Sequence, residues 1–378
     1  MKHKKILILV LAAAVIASLV LAGCAKPVTP PEEGPAEGPA PEQEVIKWRM
    51  ATTWTPAIAL IEGDRMFCRN VKEMSGGRME ITLYSAGELM PAFEVFDAVS
   101  SGMIECGGDW PGYWAGKDTA FEILGTHPFG LNWIDYAIWV LHGGGYELMN
   151  ELFGQYNMLY ITHSITSVES GFRTNVPIET ASDFKGLKIR LSGALMGRVL
   201  EELGASPVSL AGGEIYTALA TGTIDGAEYT CPGVDWGMGF AEVTKYWCLP
   251  TWHQPSSLLG VMINKDAWNE LPDDLQAIVL GAAKAGIAES CTWYEYDNIE
   301  ALQNFRNAGV VETWLDQESR DMIEAMVVKF TEEEAAKNPM YAKILKSQYK
   351  YFEDFAPVRE LEGEYGFGKT PVVWPKLD

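Results

Sequence analysis

Beyond residue 45 the apolar positions of this chain switch repeatedly between a period of two and a period of three to four. Residues 46–51, 79–84, 104–107 and 158–162 are short apolar or alternating runs and predict strands. Residues 57–74, closed by Gly76-Gly77, together with 93–101 and 133–153, repeat apolar side chains at helical spacing and predict helices. A further extended run at 168–173 is suited to cross between two parts of the fold. It is followed by a strand at 188–190, a helix at 194–203, a strand at 207–208, a helix at 212–221 and a strand at 224–229. A strand at 258–264 is placed to cross back. From Pro272 onward the pattern is helical, apart from an extended stretch at 310–314. This rhythm predicts an α/β fold with helices on both faces of a sheet. Residues 45–378 exceed the usual size of one core, so two lobes are expected: about 45–165 with part of the C-terminal helices, and about 170–262. No internal repeat is present.

The first 23 residues follow a different pattern. Basic Met1-Lys-His-Lys-Lys precedes an apolar run from Ile6 to Leu21 and then Leu21-Ala22-Gly23-Cys24. This is the layout of a secretory signal, and the apolar run is shorter than the roughly 20 residues of a membrane span. A cysteine directly after Leu-Ala-Gly resembles a bacterial lipoprotein signal, with Cys24 as the lipid-bearing first residue of the mature chain. Residues 24–44 are rich in Pro, Gly, Ala and Glu and lack aromatics, which predicts a disordered tether holding the folded region off a membrane. The expected location is the periplasm or the outer face of the cytoplasmic membrane.

Charge narrows the partners. Removing Lys2, Lys4 and Lys5 from the 29 basic residues leaves 26 against 51 acidic ones, a mature net charge of −25. Nucleic acid and anionic headgroups are poor partners for such a surface. A small anion is not excluded, because one buried arginine decides a pocket. Of six cysteines, five remain after Cys24, without CxxC spacing; five small buried hydrophobes are preferred over a Cys231–Cys248 disulfide or a zinc site.

The candidate chemistry gathers between Glu169 and Gln254. Lys188-Ile189-Arg190 follows a turn capped by Ser182 and precedes an apolar helix, so Arg190 stands at a strand end, where clefts form in α/β sheets. Its planar fork suits a carboxylate better than a lysine would. Glu228 closes another strand. Trp54, Tyr113, Trp114 and Trp252 are candidate pocket walls, although each aromatic taken alone is more often simple packing.

Four segments carry a family resemblance: Ala92 to Val99, Tyr113-Trp114-Ala115-Gly116-Lys117, Phe184 to Arg190, and Leu219 to Glu228. They resemble the solute-binding proteins of tripartite ATP-independent periplasmic (TRAP) transporters, over nearly the whole mature chain. The chain is most similar to the branch that binds 2-oxo acids and related monocarboxylates with a metal ion. The resemblance implies a two-lobed, periplasmic-binding-protein-like clamshell with crossing strands and long C-terminal helices, a non-enzymatic role in transport, and membrane permease subunits as partners. It assigns Arg190 to the ligand carboxylate and Glu228 with Tyr229 to the cation, tyrosine replacing the branch's tryptophan. Gln254 falls where the branch often has an acid. Either Ser167 or Glu169 stands for its glutamine. An all-oxygen set of this kind favours Na⁺ or Ca²⁺. In that branch a C-terminal helix is exchanged between subunits, and the apolar residues of 339–364 leave a homodimer open beside packing within one chain.

Two other readings carry less. A different carboxylate, such as a sugar acid, would use the same arginine. His142-Gly143-Gly144-Gly145 resembles the oxyanion loop of esterases, but no Gly-x-Ser-x-Gly elbow accompanies it, and the glycines are read instead as a close helix contact.

Overall fold

The computed structural model of the protein describes residues 44–363. The signal, Cys24 and nearly all of the tether lie outside them. Residues 45–363 belong to one compact unit. Among the described residues no helix is long and apolar enough to cross a membrane.

Two mixed sheets organise the chain. The first has the order β2 (Met79–Tyr84), β1 (Ile46–Thr52), β3 (Cys106–Asp109), β10 (Leu258–Asn264), β4 (Met158–Ile165). Here β1 runs parallel to β2 and β3, while β10 is antiparallel to both β3 and β4. The second has the order β11 (Val311–Trp314), β9 (Tyr246–Leu249), β5 (Phe172–Thr174), β8 (Gly226–Ala227), β6 (Lys188–Arg190), β7 (Ser206–Val208). The α/β fold, the two sheets and the long C-terminal helices agree with the sequence pattern.

The chain passes between the sheets at 166–171 and 250–257. The two segments touch: Thr166 N donates to the Ser257 carbonyl at 2.8 Å, Ser257 N to Thr166 Oγ1 at 2.8 Å, and Ser256 Oγ to the Thr166 carbonyl at 2.7 Å. The strand expected at 168–173 is therefore a crossing segment that enters β5 only at Phe172, and 258–264 lies wholly in the first sheet. Asn298, on the 35-residue helix Asp273–Asn307, ties the crossing down by donating to Ser167 Oγ at 2.7 Å and accepting from Gly233 N at 3.0 Å. That helix packs on β4 of the first sheet and on helix Pro232–Gly237 beside the second.

Two further expectations need correction. The helix read across 133–153 is two, Trp133–His142 and Gly145–Phe153. Gly144 separates them at φ 85°, a left-handed conformation open to glycine, while Gly143 and Gly145 lie close against Trp139, where a Cβ would stand 2.9 and 2.7 Å from it, so the close contact expected of these glycines is present beside the break. The strand at 224–229 shrinks to Gly226–Ala227, leaving Glu228 just past the ladder, its N–H on the Arg190 carbonyl at 3.1 Å.

One contact joins elements that flank different sheets. Glu122, on helix Ala120–Gly125, caps helix Ala194–Glu202, whose Leu195 N–H lies 2.9 and 3.0 Å from its two oxygens. Gly193, at φ 108°, makes room, since a Cβ there would stand 2.4 Å from Glu122 Oε1. Burial outweighs these N–H donors and pushes the Glu122 carboxyl up to about 7.

Tyr341, Ile344, Leu345 and Tyr351 of helix Pro339–Glu362 are buried against their own chain, whereas Tyr349, Val358 and Leu361 are exposed. All five cysteines of the described residues are free.

Candidate functional site

Where β6 and β8 end side by side, Arg190 and Glu228 meet. Arg190 is 1% exposed, and four of its five N–H groups are engaged. Nη1 donates to Glu228 Oε1 and to the Glu228 carbonyl, both at 2.8 Å, Nη2 to Ser192 Oγ at 2.8 Å, and Nε to the Leu210 carbonyl at 3.2 Å. One N–H on Nη2 remains. The Tyr229 ring lies 5.1 Å from the guanidinium. The fork expected to grip a carboxylate is thus largely occupied by its own chain.

Glu169 approaches from the crossing segment. Its Oε1 accepts from Ser257 Oγ at 2.6 Å, while Glu228 Oε1 accepts from Ser192 N at 2.8 Å. Both Oε2 atoms turn the other way, toward Gln254 and His253. The Gln254 amide, with its nitrogen facing them, donates to Glu169 Oε2 at 3.1 Å and to Glu228 Oε2 at 2.9 Å. His253 Nε2 is 4.0 Å from the first and 3.8 Å from the second. Burial, and next the charge of Glu228, raise the Glu169 carboxyl well above its ordinary value.

Arg190, Glu228, Glu169, Gln254, Ser192 and Ser257 border a small cavity of about 20 Å³, with Leu60, Trp110, Tyr113, Thr166, Tyr229, Thr230 and Leu259 completing its wall. Of the residues read from the sequence, Arg190, Glu169, Glu228, Tyr229, Gln254 and Tyr113 come together here. Ser167 does not, because it accepts from Asn298, so of the two alternatives Glu169 is the one that lines the cavity. Three expected aromatics stand elsewhere: Trp54 is fully buried in the core, Trp114 lines a neighbouring groove, and Trp252 packs between Phe129 and Phe172. Trp110, Ser192, Ser257 and His253 were not singled out; only the last carried a signal, as a ligand-type residue beside Gln254.

The sequence profile of bacterial extracellular solute-binding proteins, family 7 (DctP), matches residues 50–338. The chain belongs to this family. The family 7 proteins are extracellular solute-binding proteins that serve transport. One relative is a monocarboxylate 2-oxoacid-binding periplasmic protein of a Nostoc species, 33% identical over 307 residues, covering 81% of this chain and 84% of the relative. Among solved structures, a TRAP periplasmic solute-binding protein of Pseudoalteromonas atlantica, with bound sodium and pyruvate, is 34% identical at a TM-score of 0.79, covering 85% of this chain and 99% of that one. A TRAP solute-binding protein of Bordetella bronchiseptica, a mixed-occupancy dimer with calcium and picolinate, is 30% identical at a TM-score of 0.80, covering 84% and 95%.

The residues of this family 7 chain fit a cation. Two carboxylate oxygens and one amide converge, and His253, 1% exposed, has no hydrogen-bond partner at either ring nitrogen. Glu169 Oε2, Glu228 Oε2 and the Gln254 carbonyl oxygen, after rotation of its amide, would hold such an ion, which would supply a positive centre for an anionic solute.

Proposed function

We propose that the protein captures a small 2-oxo or 2-hydroxy monocarboxylate together with a cation and delivers it to the membrane permease of a TRAP transporter. The observation that carries this reading is the sharing of Glu228: one oxygen neutralises Arg190 and the other faces the cation cluster. A carboxylate entering between them would take the remaining Arg190 N–H and lie against the ion, which also reaches the adjacent keto or hydroxyl oxygen. Trp110, Tyr113, Leu60 and Leu259 give the cavity an apolar side suited to a short tail. The cavity of about 20 Å³ favours a small acid over a bulkier sugar acid.

Sodium or calcium with pyruvate or picolinate in the related structures supports the same pairing. The two sheets would be the cores of the two lobes, one of about 45–165 with β10 and part of the C-terminal helices, the other ending near 250 rather than 262 and completed by β11. Segments 166–171 and 250–257 would act as the hinge. Anchoring through Cys24 would keep the binding region near its permease. Exposed Tyr349, Val358 and Leu361 on the last helix support a homodimer, as in the Bordetella relative.

Titration calorimetry of the purified protein with pyruvate, in Na⁺ and then in Ca²⁺ buffer, tests the reading. Saturable binding with a rise in Tm is the expected outcome. No heat with any of a panel of 2-oxo, 2-hydroxy and sugar acids would refute it.

A further inference from the structure

An all-oxygen cation site does not call for an imidazole, yet His253 stands where the cation would be bound. Its ring is enclosed by Phe172, with centroids 4.9 Å apart, and by Trp252 at 6.2 Å. Neither ring nitrogen has a hydrogen-bond partner. Buried polar nitrogens without partners are uncommon because the lost hydration is not returned. The distances from Nε2 to the two Oε2 atoms, 3.8 and 4.0 Å, are too long for hydrogen bonds.

They are the right length for something else. Donors each about 2.1 Å from one ion stand roughly 3 to 4.2 Å apart, from neighbouring to opposite places in its coordination sphere. The Gln254 amide, at 2.9 and 3.1 Å from the same oxygens, and His253 both fall in this range. Each carboxylate meanwhile has its Oε1 fixed by the protein, Glu169 by Ser257 and Glu228 by Arg190 and Ser192. The two Oε2 atoms share the Gln254 amide as their one hydrogen-bond partner, and together with His253 Nε2 they form a cluster compact enough to hold one ion once that amide turns its oxygen inward.

We propose that His253 is a nitrogen ligand of the cation in this site and turns its preference from Na⁺ and Ca²⁺ toward a divalent transition ion such as Mn²⁺ or Zn²⁺. The proposal rests on the cation reading given above and adds the choice of ion. Na⁺ and Ca²⁺ are oxygen-seeking ions and gain little from imidazole. Transition ions bind it well, and Mn²⁺ and Zn²⁺ also accept carboxylate and amide oxygens. Gln254, in place of an acid, keeps the donor set at two carboxylates; with Arg190 counted, a divalent ion would leave the site one positive charge, which the solute carboxylate would balance. The solute then enters as a carboxylate on a transition ion.

Metal binding without any organic acid decides the matter. The purified protein, stripped with chelator, is dialysed against equal Mn²⁺ and Ca²⁺, and bound metal is counted by mass spectrometry. Mn²⁺ should be retained at least tenfold over Ca²⁺, and His253→Asn should lower that ratio at least tenfold. Electron spin echo spectroscopy of the Mn²⁺-loaded wild type should show coupling to an imidazole ¹⁴N, a readout that needs no variant to fold. Bound Mn²⁺ without ¹⁴N coupling, Ca²⁺ retained in preference, or no Mn²⁺ bound at all would each overturn the proposal. Failure of the carboxylate reading would appear separately, as absent pyruvate heat in the Mn²⁺-loaded protein as well as in Na⁺ and Ca²⁺ buffers.

Discussion

Arg190 Nη1 holds Glu228 twice, at the side-chain Oε1 and at the main-chain carbonyl, each 2.8 Å away. The pair is almost wholly buried, so Arg190→Ala leaves a carboxylate without a counter-charge. Breaking such a pair costs roughly 3–5 kcal/mol, and the Tm should drop accordingly. Arg190→Ala/Glu228→Gln should regain much of that stability without regaining pyruvate binding. Equal stability of the single variant and wild type in urea melts would show that the pair is not coupled as the geometry implies.

Binding should report on the same guanidinium. Charge-assisted hydrogen bonds are worth roughly 1.5–3 kcal/mol, so Arg190→Ala should weaken pyruvate binding by at least about tenfold to a hundredfold. Arg190→Lys should recover part of it, because an ammonium cannot hold Glu228, Ser192 and a ligand with one planar fork. Calorimetry that finds wild-type affinity in Arg190→Ala would place the solute elsewhere.

The cation cluster makes its own prediction. Glu169→Gln and Glu228→Gln should each lower solute affinity, since each removes one of the two Oε2 charges facing Gln254 and His253. Chelator should have the same effect if the ion is divalent, and none if it is Na⁺. Undiminished affinity in both variants would separate the solute from any cation.

Glu122 should set a pH dependence of stability. Its carboxyl rises from an ordinary 4.5 to about 7 on folding, so the folded protein binds the proton more tightly than the unfolded chain. The folded state is therefore favoured below about 4.5 and loses stability as pH rises to about 7, by on the order of 3 kcal/mol. Glu122→Gln should flatten that part of the urea-melt profile between pH 4.5 and 8. An unchanged slope would mean that another group produces it.

Closure is testable in solution. If 166–171 and 250–257 hinge two lobes, pyruvate should lower the radius of gyration in X-ray scattering. An unchanged curve at saturation would count against a clamshell. Light scattering at micromolar concentration separately decides between monomer and dimer.

The local pattern of this sequence determined much of the fold. Period-two and helical runs placed β1, β2, β6 and the long C-terminal helices, because burying one face of a strand or helix imposes a spacing that survives in one dimension. It also put Arg190 and Glu228 at strand ends, which follows from where each apolar run stops. Only the tertiary structure decided what those ends meet. Residues 166–171 and 250–257 cross between sheets without regular structure, so no periodicity showed that Glu169 faces the space and Ser167 faces Asn298. Nor could it show that Trp252 packs between Phe129 and Phe172 while His253 and Gln254 face the two carboxylates. Likewise Glu122 lies 73 residues from the Leu195 N–H that it caps, a pairing set by how two helices are brought together and not by any local signal.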